Sequence, residues 1–239
     1  MAETLYYDLH IHSCLSPCGD DDMTPANIAG MAALKGLDVI ALTDHNSCRN
    51  CPAVLAAGAE FGLTVLPGME LCTAEEVHVL CLFATLEDAL AFDAAVYPHI
   101  LPIENNEAFF GRQLYYDLHD QICGTESRLL ISATDIPFDE AYDWITRFHG
   151  LMIPAHIDKK TTSLLANLGF VPQGSRFTCF ELQNLKNLHR VRQENPYLMH
   201  CRVIHNSDAH SLGHIHEAEQ MLICEDRSPA AVLAALARP

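Results

Sequence analysis

Basic residues are scarce in this chain. Its 239 residues include 14 Lys and Arg against 31 Asp and Glu, which gives a formal net charge of −17 with histidine counted as neutral. An acidic surface repels duplex nucleic acid and anionic membranes, so this charge argues against either as a partner. A net charge of −17 still allows a local basic patch.

Long apolar runs are also missing. No apolar stretch approaches 18 residues, and no basic segment followed by an apolar run opens the chain. We therefore expect a cytoplasmic protein that does not enter a membrane. Internal repeats, linkers and low-complexity tracts are absent from the sequence, and 49% hydrophobic residues suffice for one domain with a large core.

Histidine and cysteine, in contrast, are abundant. The chain has 14 histidines and 10 cysteines. Because no secretory signal accompanies the cysteines, most are expected to be thiols rather than disulfides, and Cys81, Cys179 and Cys224 lie in apolar runs typical of core strands. Imidazole is the usual protein ligand of zinc, iron and manganese, so the histidines point to metal.

The first histidines lie in an alternating segment. Asp8, His10 and His12 alternate with Leu9 and Ile11, which predicts a strand with the polar side chains on one face. Two imidazoles on one face can converge on a single ion. A half-exposed strand face without metal is the alternative that this segment leaves open.

Strands and helices alternate after this segment. Thr24-Pro25 is a helix-start pattern and Gly36 a helix end. Further strands are predicted at 38–42, 63–67 and 77–83, with a helix over 52–61. Such short spacing is typical of parallel β/α units.

Residues 85–150 are less regular. We predict helices over 85–96, 104–122 and 137–149, with a short strand at 129–132, and expect this segment to cover the substrate. Strands are predicted again at 151–155, 178–182, 203–206 and 220–224, before a helix that begins at Ser228-Pro229.

Potential metal ligands follow the predicted strands. They are His10, His12, His45, Glu70, His156, Asp208 and His210, whereas His78 lies within its strand. In a parallel β/α barrel the carboxyl ends of the strands form one rim, so these residues would meet there. Any one of them alone could be an ordinary surface residue.

These motifs resemble a known family. The segments 8–13, 43–46, 68–70, 155–157 and 207–210 are similar, in order, to the motifs of the polymerase and histidinol phosphatase (PHP) family. The resemblance implies an α/β fold, a distorted (β/α)7 TIM-like barrel. It also implies a single PHP domain over 1–239, with 85–150 as an irregular substrate-facing insertion, and a cleft with two or three divalent ions.

The resemblance also implies the ligands. One ion would take His10, His12, Glu70 and Asp208, and a second would take His78, His156 and Glu70 as a bridge. A third would take His45, His210 and a residue of the first loop, where Asp20 and Cys18 are both candidates. Asp8 and Asp44 would fix imidazole tautomers. Mixed imidazole and carboxylate ligands suit zinc, iron or manganese.

The expected chemistry is phosphoester hydrolysis. Adjacent divalent ions activate water and neutralise phosphoryl charge, so the resemblance implies a phosphatase that attacks a small-molecule phosphate monoester with a metal-bound hydroxide. The ester would be a nucleotide, histidinol phosphate or a sugar phosphate, with Glu70, Asp208 and His210 as the catalytic centre. Candidate phosphate-binding cations are Lys159, Lys160, Arg49 and Arg176. A 3′–5′ exonuclease and a non-enzymatic metal or redox sensor are alternatives.

Two cysteine pairs could form a further site. Cys14 and Cys18 lie on the first predicted rim loop, and Cys48 and Cys51 on the second. Neighbouring strands would bring these loops side by side, where four thiols could hold a structural zinc ion or an iron–sulfur cluster.

Overall fold

The computed structural model describes residues 2–238. The strands are β1 (Glu3–Ile11), β2 (Val39–Leu42), β3 (Thr64–Cys72), β4 (His78–Leu82), β5 (Leu114–Tyr116), β6 (Ile122–Thr125), β7 (Leu151–Pro154), β8 (Cys179–Glu181), β9 (Arg202–Ile204) and β10 (Met221–Cys224). The helices are α1 (Pro25–Leu34), α2 (Cys51–Glu60), α3 (Leu86–Val96), α4 (Glu107–Phe110), α5 (Phe138–Arg147), α6 (Leu164–Asn167), α7 (Leu188–Glu194) and α8 (Pro229–Ala237).

A curled sheet organises the fold. Six strands pair in the order β10-β1-β2-β3-β4-β7, and β8 and β9 form a parallel pair. The pair continues the sheet beyond β7, since Ile157 N–H donates to Glu181 O at 2.9 Å. This is the distorted α/β barrel that the sequence predicted.

The first half follows the predicted β/α pattern. Strands β1, β2 and β3 are parallel, with α1 and α2 as connections. Thr24 Oγ1 accepts from Asn27 N–H at the start of α1, and Gly36, with φ of +78°, follows its end. Only glycine adopts that backbone angle without strain, which is why the helix ends there.

Strand β4 departs from the parallel pattern. It pairs antiparallel with β3 and with β7, and Cys72 at the end of β3 lies opposite His78 at the start of β4. The expectation of parallel strands is therefore wrong here. The reversal brings His78 to the same end of the sheet as the other potential ligands.

The middle segment contains a hairpin instead of a long helix. The predicted helix over 104–122 is wrong, because only α4 forms and β5 then pairs antiparallel with β6. Asn50 fixes the hairpin through a bond from its Nδ2 to Leu114 O and another from Tyr116 N–H to its Oδ1, both 3.0 Å. The predicted strand at 129–132 does not form, whereas α3 and α5 match the predicted helices.

Two apolar layers hold the sheet. One face packs against the outer helices through buried side chains such as Ile28, Ile40, Leu71, Phe92 and Ile145. The other face joins β8, β9 and α8 through residues such as Leu9, Leu80, Ile153, Ile204 and Leu236. None of the helices within residues 2–238 is long and apolar enough to cross a membrane.

Candidate metal centre

Main-chain pairing places the potential ligands at one end of the sheet. His12 N–H donates to Ala209 O at 2.9 Å and Ala209 N–H to His10 O at 3.2 Å, so the segment after β9 lies along the end of β1. A parallel β-bridge between the main chains of His45 and Glu70 places the end of β2 beside β3 in the same way. His156 and Asp208 have φ of +30° and +53°, which is uncommon for residues other than glycine and frequent at functional sites.

Glu70 lies at the centre of five imidazoles. Its Oε1 is 2.9 Å from His78 Nδ1, 3.0 Å from His156 Nε2 and 3.2 Å from His10 Nε2. Its Oε2 is 3.0 Å from His45 Nδ1 and 3.3 Å from His12 Nε2. Glu70 is only 1% exposed. One buried carboxylate thus faces ring nitrogens from four different elements, which suits a bridging metal ligand.

Three groups of side chains place their potential ligand atoms within 4.8 Å of one another. They are His10, His12, Glu70 and Asp208; His45, Glu70 and His78; and His12, His45 and His210. The first group contains the four residues predicted for one ion. The second pairs Glu70 with His78 as predicted but adds His45, while His156 touches the same carboxylate.

Two buried atoms show that cations fit these groups. His45 Nδ1 and Glu70 Oε2 have no hydrogen-bond partner within residues 2–238, although they lie 3.0 Å apart. Buried polar atoms in native proteins are nearly always satisfied. A divalent ion coordinated by both would satisfy them, and nitrogen with carboxylate oxygen is a donor set that zinc, iron and manganese accept.

Glu181 orients His10 and was missed by the sequence analysis. Its Oε1 and Oε2 lie 3.2 and 3.1 Å from His10 Nδ1, and it also accepts from Asn206 Nδ2 at 2.6 Å and His156 N–H at 2.8 Å. The contact between Glu181 and His10 Nδ1 leaves His10 Nε2 free for a metal. The feature of the sequence that could have revealed this role is a glutamate inside the otherwise apolar strand predicted over 178–182.

Asp44 acts on His12 through Ser16. Ser16 Oγ donates to Asp44 Oδ1 at 2.7 Å and lies 2.9 Å from His12 Nδ1. A hydroxyl that donates to Asp44 accepts from the imidazole, which fixes the His12 proton on Nδ1 and frees Nε2. Asp44 can thus fix the tautomer of His12, as predicted, through the Ser16 hydroxyl.

Asp8 has a different role from the predicted one. Its two oxygens accept from the N–H groups of Ser207 and His216, at 3.1 and 3.0 Å. It therefore holds the segment around Asp208 against β1. It does not accept from a ligating imidazole, because its side chain faces the backbone of this segment.

The charges in the centre shift its pKa values. Burial lowers the pKa of His10, but the charges of Glu181 and Glu70 outweigh burial and hold that pKa well above its usual value. Burial and the charge of His12 lower the pKa of His210 to about 3. Burial raises the pKa of Glu70, but the surrounding imidazoles outweigh it and hold the pKa far below the usual range.

A cleft of about 250 Å³ opens onto the centre. Its lining residues are Cys18, His45, Glu70, Cys72, Glu76, His78, Ile131, Lys159, Thr161, Thr162, Asp208 and His210. Lys159 Nζ lies 3.0 Å from Asp208 Oδ2. Ile131 comes from the irregular segment 85–150, so that segment contributes to the cleft wall.

The other predicted cations lie elsewhere. Arg49 pairs with Asp93, and Arg176 pairs with Asp143 at 2.7 Å. Lys160 lines a separate groove. None of these three residues lines the cleft, so the structure brings only Lys159 of the four predicted cations to its wall.

The first loop brings Cys18, not Asp20, to the cleft. Cys18 is part of the lining, whereas Asp20 is exposed and only its N–H contacts the site, donating to His210 O at 2.8 Å. The sequence left these two residues as alternatives.

The four cysteines do not assemble. Cys48 and Cys51 are buried with their thiols 3.2 and 3.5 Å from Gly68 O, while Cys14 is buried beside Tyr116. No cysteine belongs to a ligand group within residues 2–238. The structure therefore does not bring together the four thiols predicted for a zinc or iron–sulfur site, because the second pair is part of the core behind β3.

The sequence matches the PHP domain over residues 8–222. The chain belongs to the PHP family. This confirms the resemblance to the PHP family that the sequence motifs indicated.

This PHP protein matches curated relatives over only part of their length. It is 32% identical over 82 residues to a 5′-3′ exoribonuclease of Haemophilus influenzae, a match that covers 33% of this chain and 29% of that protein. Another curated relative is matched over 44% of its length. The chain thus aligns with less than half of either one.

Solved structures share the PHP fold. Endonuclease Q of Pyrococcus furiosus superposes with a TM-score of 0.68 at 19% identity, over 98% of this chain and 56% of that one. A protein of Bifidobacterium adolescentis assigned as a metal-dependent phosphoesterase superposes with a TM-score of 0.66 at 16% identity, over 98% and 97% of the two chains. At these identities the likeness shows the fold.

Proposed function

We propose that this PHP protein is a phosphatase that hydrolyses a small-molecule phosphate monoester. The observation that carries the proposal is Glu70 among five imidazoles at the base of a cleft whose wall carries Lys159. Divalent ions bound there would lower the pKa of a water molecule and neutralise phosphoryl oxygens.

The protein's own residues have separable tasks. Glu70 would bridge two ions, Asp208 would join His10 and His12 on one of them, and His210 would contribute to a third. Glu181 and Ser16 hold His10 and His12 with their Nε2 atoms toward the centre. The residues therefore fit a site with two or three ions of zinc, iron or manganese.

We expect Lys159 to be the cation that binds the phosphate. Its ammonium is paired with Asp208 and its side chain is 32% exposed, so it can reach a ligand in the cleft while anchored beside the ions. A positive charge there offsets phosphate charge that an otherwise acidic protein would repel.

The size of the cleft supports a small substrate. About 250 Å³ is close to the lower bound of ordinary ligand sites. Nucleoside monophosphates, histidinol phosphate and sugar phosphates all present a terminal phosphate that a short cleft can take. We expect the group beyond the phosphate to be recognised partly by the segment 85–150.

The test is phosphate release from a panel of monoesters, with bound metals counted. Glu70→Gln should abolish both release and part of the metal content while the circular dichroism spectrum is unchanged. Glu225→Gln, at an exposed site, serves as the matched control. Full activity of Glu70→Gln would sink the proposal, and metal binding without any hydrolysis would favour the sensor alternative.

A nuclease is the second candidate. A groove of about 570 Å³ adjoins the cleft through Lys159, and it also contains Lys160, Arg190 and the ring of Phe170, which is 59% exposed. Cationic side chains beside an exposed ring suit a single strand. The Haemophilus relative is named a 5′-3′ exoribonuclease, and endonuclease Q has been solved with a 27-mer duplex substrate with an abasic lesion.

Oligonucleotides separate the two candidates. A nuclease should degrade a short single strand faster than it releases phosphate from mononucleotides, and Lys160→Ala should slow only the former. A phosphatase should show the reverse preference and no effect of Lys160→Ala. Cleavage of a duplex would also overturn the expectation, drawn from the net charge, that duplex nucleic acid is not a partner.

A further inference from the structure

Three imidazoles form a ligand group that contains no carboxylate. His12, His45 and His210 bring ligand atoms within 4.8 Å of one another, and the rings of His12 and His210 are stacked with centroids 4.2 Å apart. His45 is 3% exposed and its Nδ1 has no hydrogen-bond partner within residues 2–238. Three imidazole nitrogens leave a divalent cation one ligand short of the usual four.

Cys18 lies on the cleft wall beside two of these imidazoles. Its side chain lines the cleft together with His45 and His210. Eight of the ten cysteines are buried, and only Cys18 and Cys123 are exposed.

The first loop is built to present Cys18. Ser16 N–H donates to Ser13 O at 3.1 Å and Gly19 N–H to Ser16 O at 2.9 Å, which closes two turns around it. A Cβ at Gly19 would lie 2.4 Å from Ser13 O, so glycine is required directly after the cysteine. Asp20 is bound to His210 only through its backbone, and its carboxylate lies outside the cleft lining.

We propose that Cys18 binds, as thiolate, the metal ion that His45 and His210 hold. The thiol proton leaves to solvent when the sulfur–metal bond forms. The inference rests on the metal centre of the proposed function but concerns one ligand of it. A thiolate favours zinc or iron over magnesium and manganese at this position, and it makes this ion site sensitive to oxidation.

Cobalt substitution tests the bond directly. Cobalt(II) bound by a thiolate absorbs in the near ultraviolet through sulfur-to-metal charge transfer, which imidazole and carboxylate ligands do not produce. We expect this band in the wild-type protein, in Cys123→Ser and in Asp20→Asn. In Cys18→Ser the band should be lost, and the protein should bind about one ion fewer per chain.

The outcomes distinguish this inference from the proposed function. Cobalt bound without the band, or a band that persists in Cys18→Ser, would overturn the thiolate ligand while leaving a metal-dependent hydrolase intact. Failure of the wild-type protein to bind cobalt, zinc or manganese would overturn both.

A second measurement needs no variant. In metal-free protein both exposed thiols should react with iodoacetamide, and added zinc should slow alkylation of Cys18 by at least about tenfold while Cys123 reacts as before. Mass spectrometry of the two peptides gives both rates in one sample. Equal rates at Cys18 with and without zinc would contradict the proposal.

Discussion

Nδ1 of His10 lies 3.1 Å from a carboxylate oxygen of Glu181, a residue 171 positions later in the chain. This contact fixes the tautomer of a ring whose other nitrogen faces Glu70 at 3.2 Å. The orientation of the metal centre therefore depends on β8, which carries none of the residues in the ligand groups.

Glu181→Gln should weaken metal binding without removing a ligand. The amide keeps the volume but loses the charge that holds the His10 proton on Nδ1, and loss of such a partner typically costs about 10- to 100-fold in metal affinity. Competition with a chromophoric chelator measures the affinity. Glu225→Gln is the exposed control, and an unchanged affinity in Glu181→Gln would show that His10 is oriented without it.

Lys159→Met should lower kcat/KM by about 10- to 100-fold, because a hydrogen bond to a charged group contributes roughly 1.5–3 kcal/mol. The metal content should stay the same, since Lys159 is not among the potential ligands. Lys186→Met, on the exposed surface, is the matched control. Steady-state kinetics on the best monoester decide this, and equal kcat/KM values would remove Lys159 from phosphate binding.

Asp44→Ala should destabilise the fold more than a surface substitution. Its buried carboxylate accepts from Ser13 N–H, Ser13 Oγ and Ser16 Oγ, all at 2.7 Å. Unsatisfied buried donors cost about 1–3 kcal/mol each, so the free energy of unfolding should fall by at least ~3 kcal/mol. Urea unfolding measures the loss. Asp135→Ala, whose ion pair is exposed, should cost less than about 1 kcal/mol.

Metal binding should stabilise the protein more at alkaline than at neutral pH. In the metal-free protein the raised pKa of His10 stabilises the fold fully below about pH 6.5, and this contribution is lost as the pH rises through the folded-state pKa. The lowered pKa of Glu70 has the opposite pH dependence. Its contribution to the stability of the fold is present above about pH 4.5 and is lost as the pH falls through the folded-state pKa.

Bound ions displace the Nε2 proton of the protonated His10 ring, so their affinity rises with pH over the range in which the free protein loses stability. Zinc at 100 times its dissociation constant stabilises by about 2.7 kcal/mol, or roughly 5–10 °C in Tm. Differential scanning fluorimetry should show a larger zinc-induced gain at about pH 8.5 than at about pH 6.5. An equal or smaller gain at the higher pH would contradict the protonation of His10 in the free protein.

The sequence by itself determined the potential metal ligands and the start of the fold. His10, His12, His45, Glu70, His156, Asp208 and His210 were readable because each directly follows or ends an apolar run, and parallel strands end on one side of a sheet. The helices α1 and α2 were readable from a threonine cap, prolines and terminal glycines, all of which act locally.

Only the tertiary structure decided what depends on distant pairing. His78 reaches the centre because β4 runs antiparallel, the segment 114–125 is a hairpin because Asn50 binds it, and Glu181 meets His10 across the barrel. Lys159 enters the cleft while Lys160 does not, and Cys18 enters while Asp20 does not. Local patterns specify where a strand or helix lies, but the direction of one side chain among its neighbours is fixed by contacts between residues far apart in the chain.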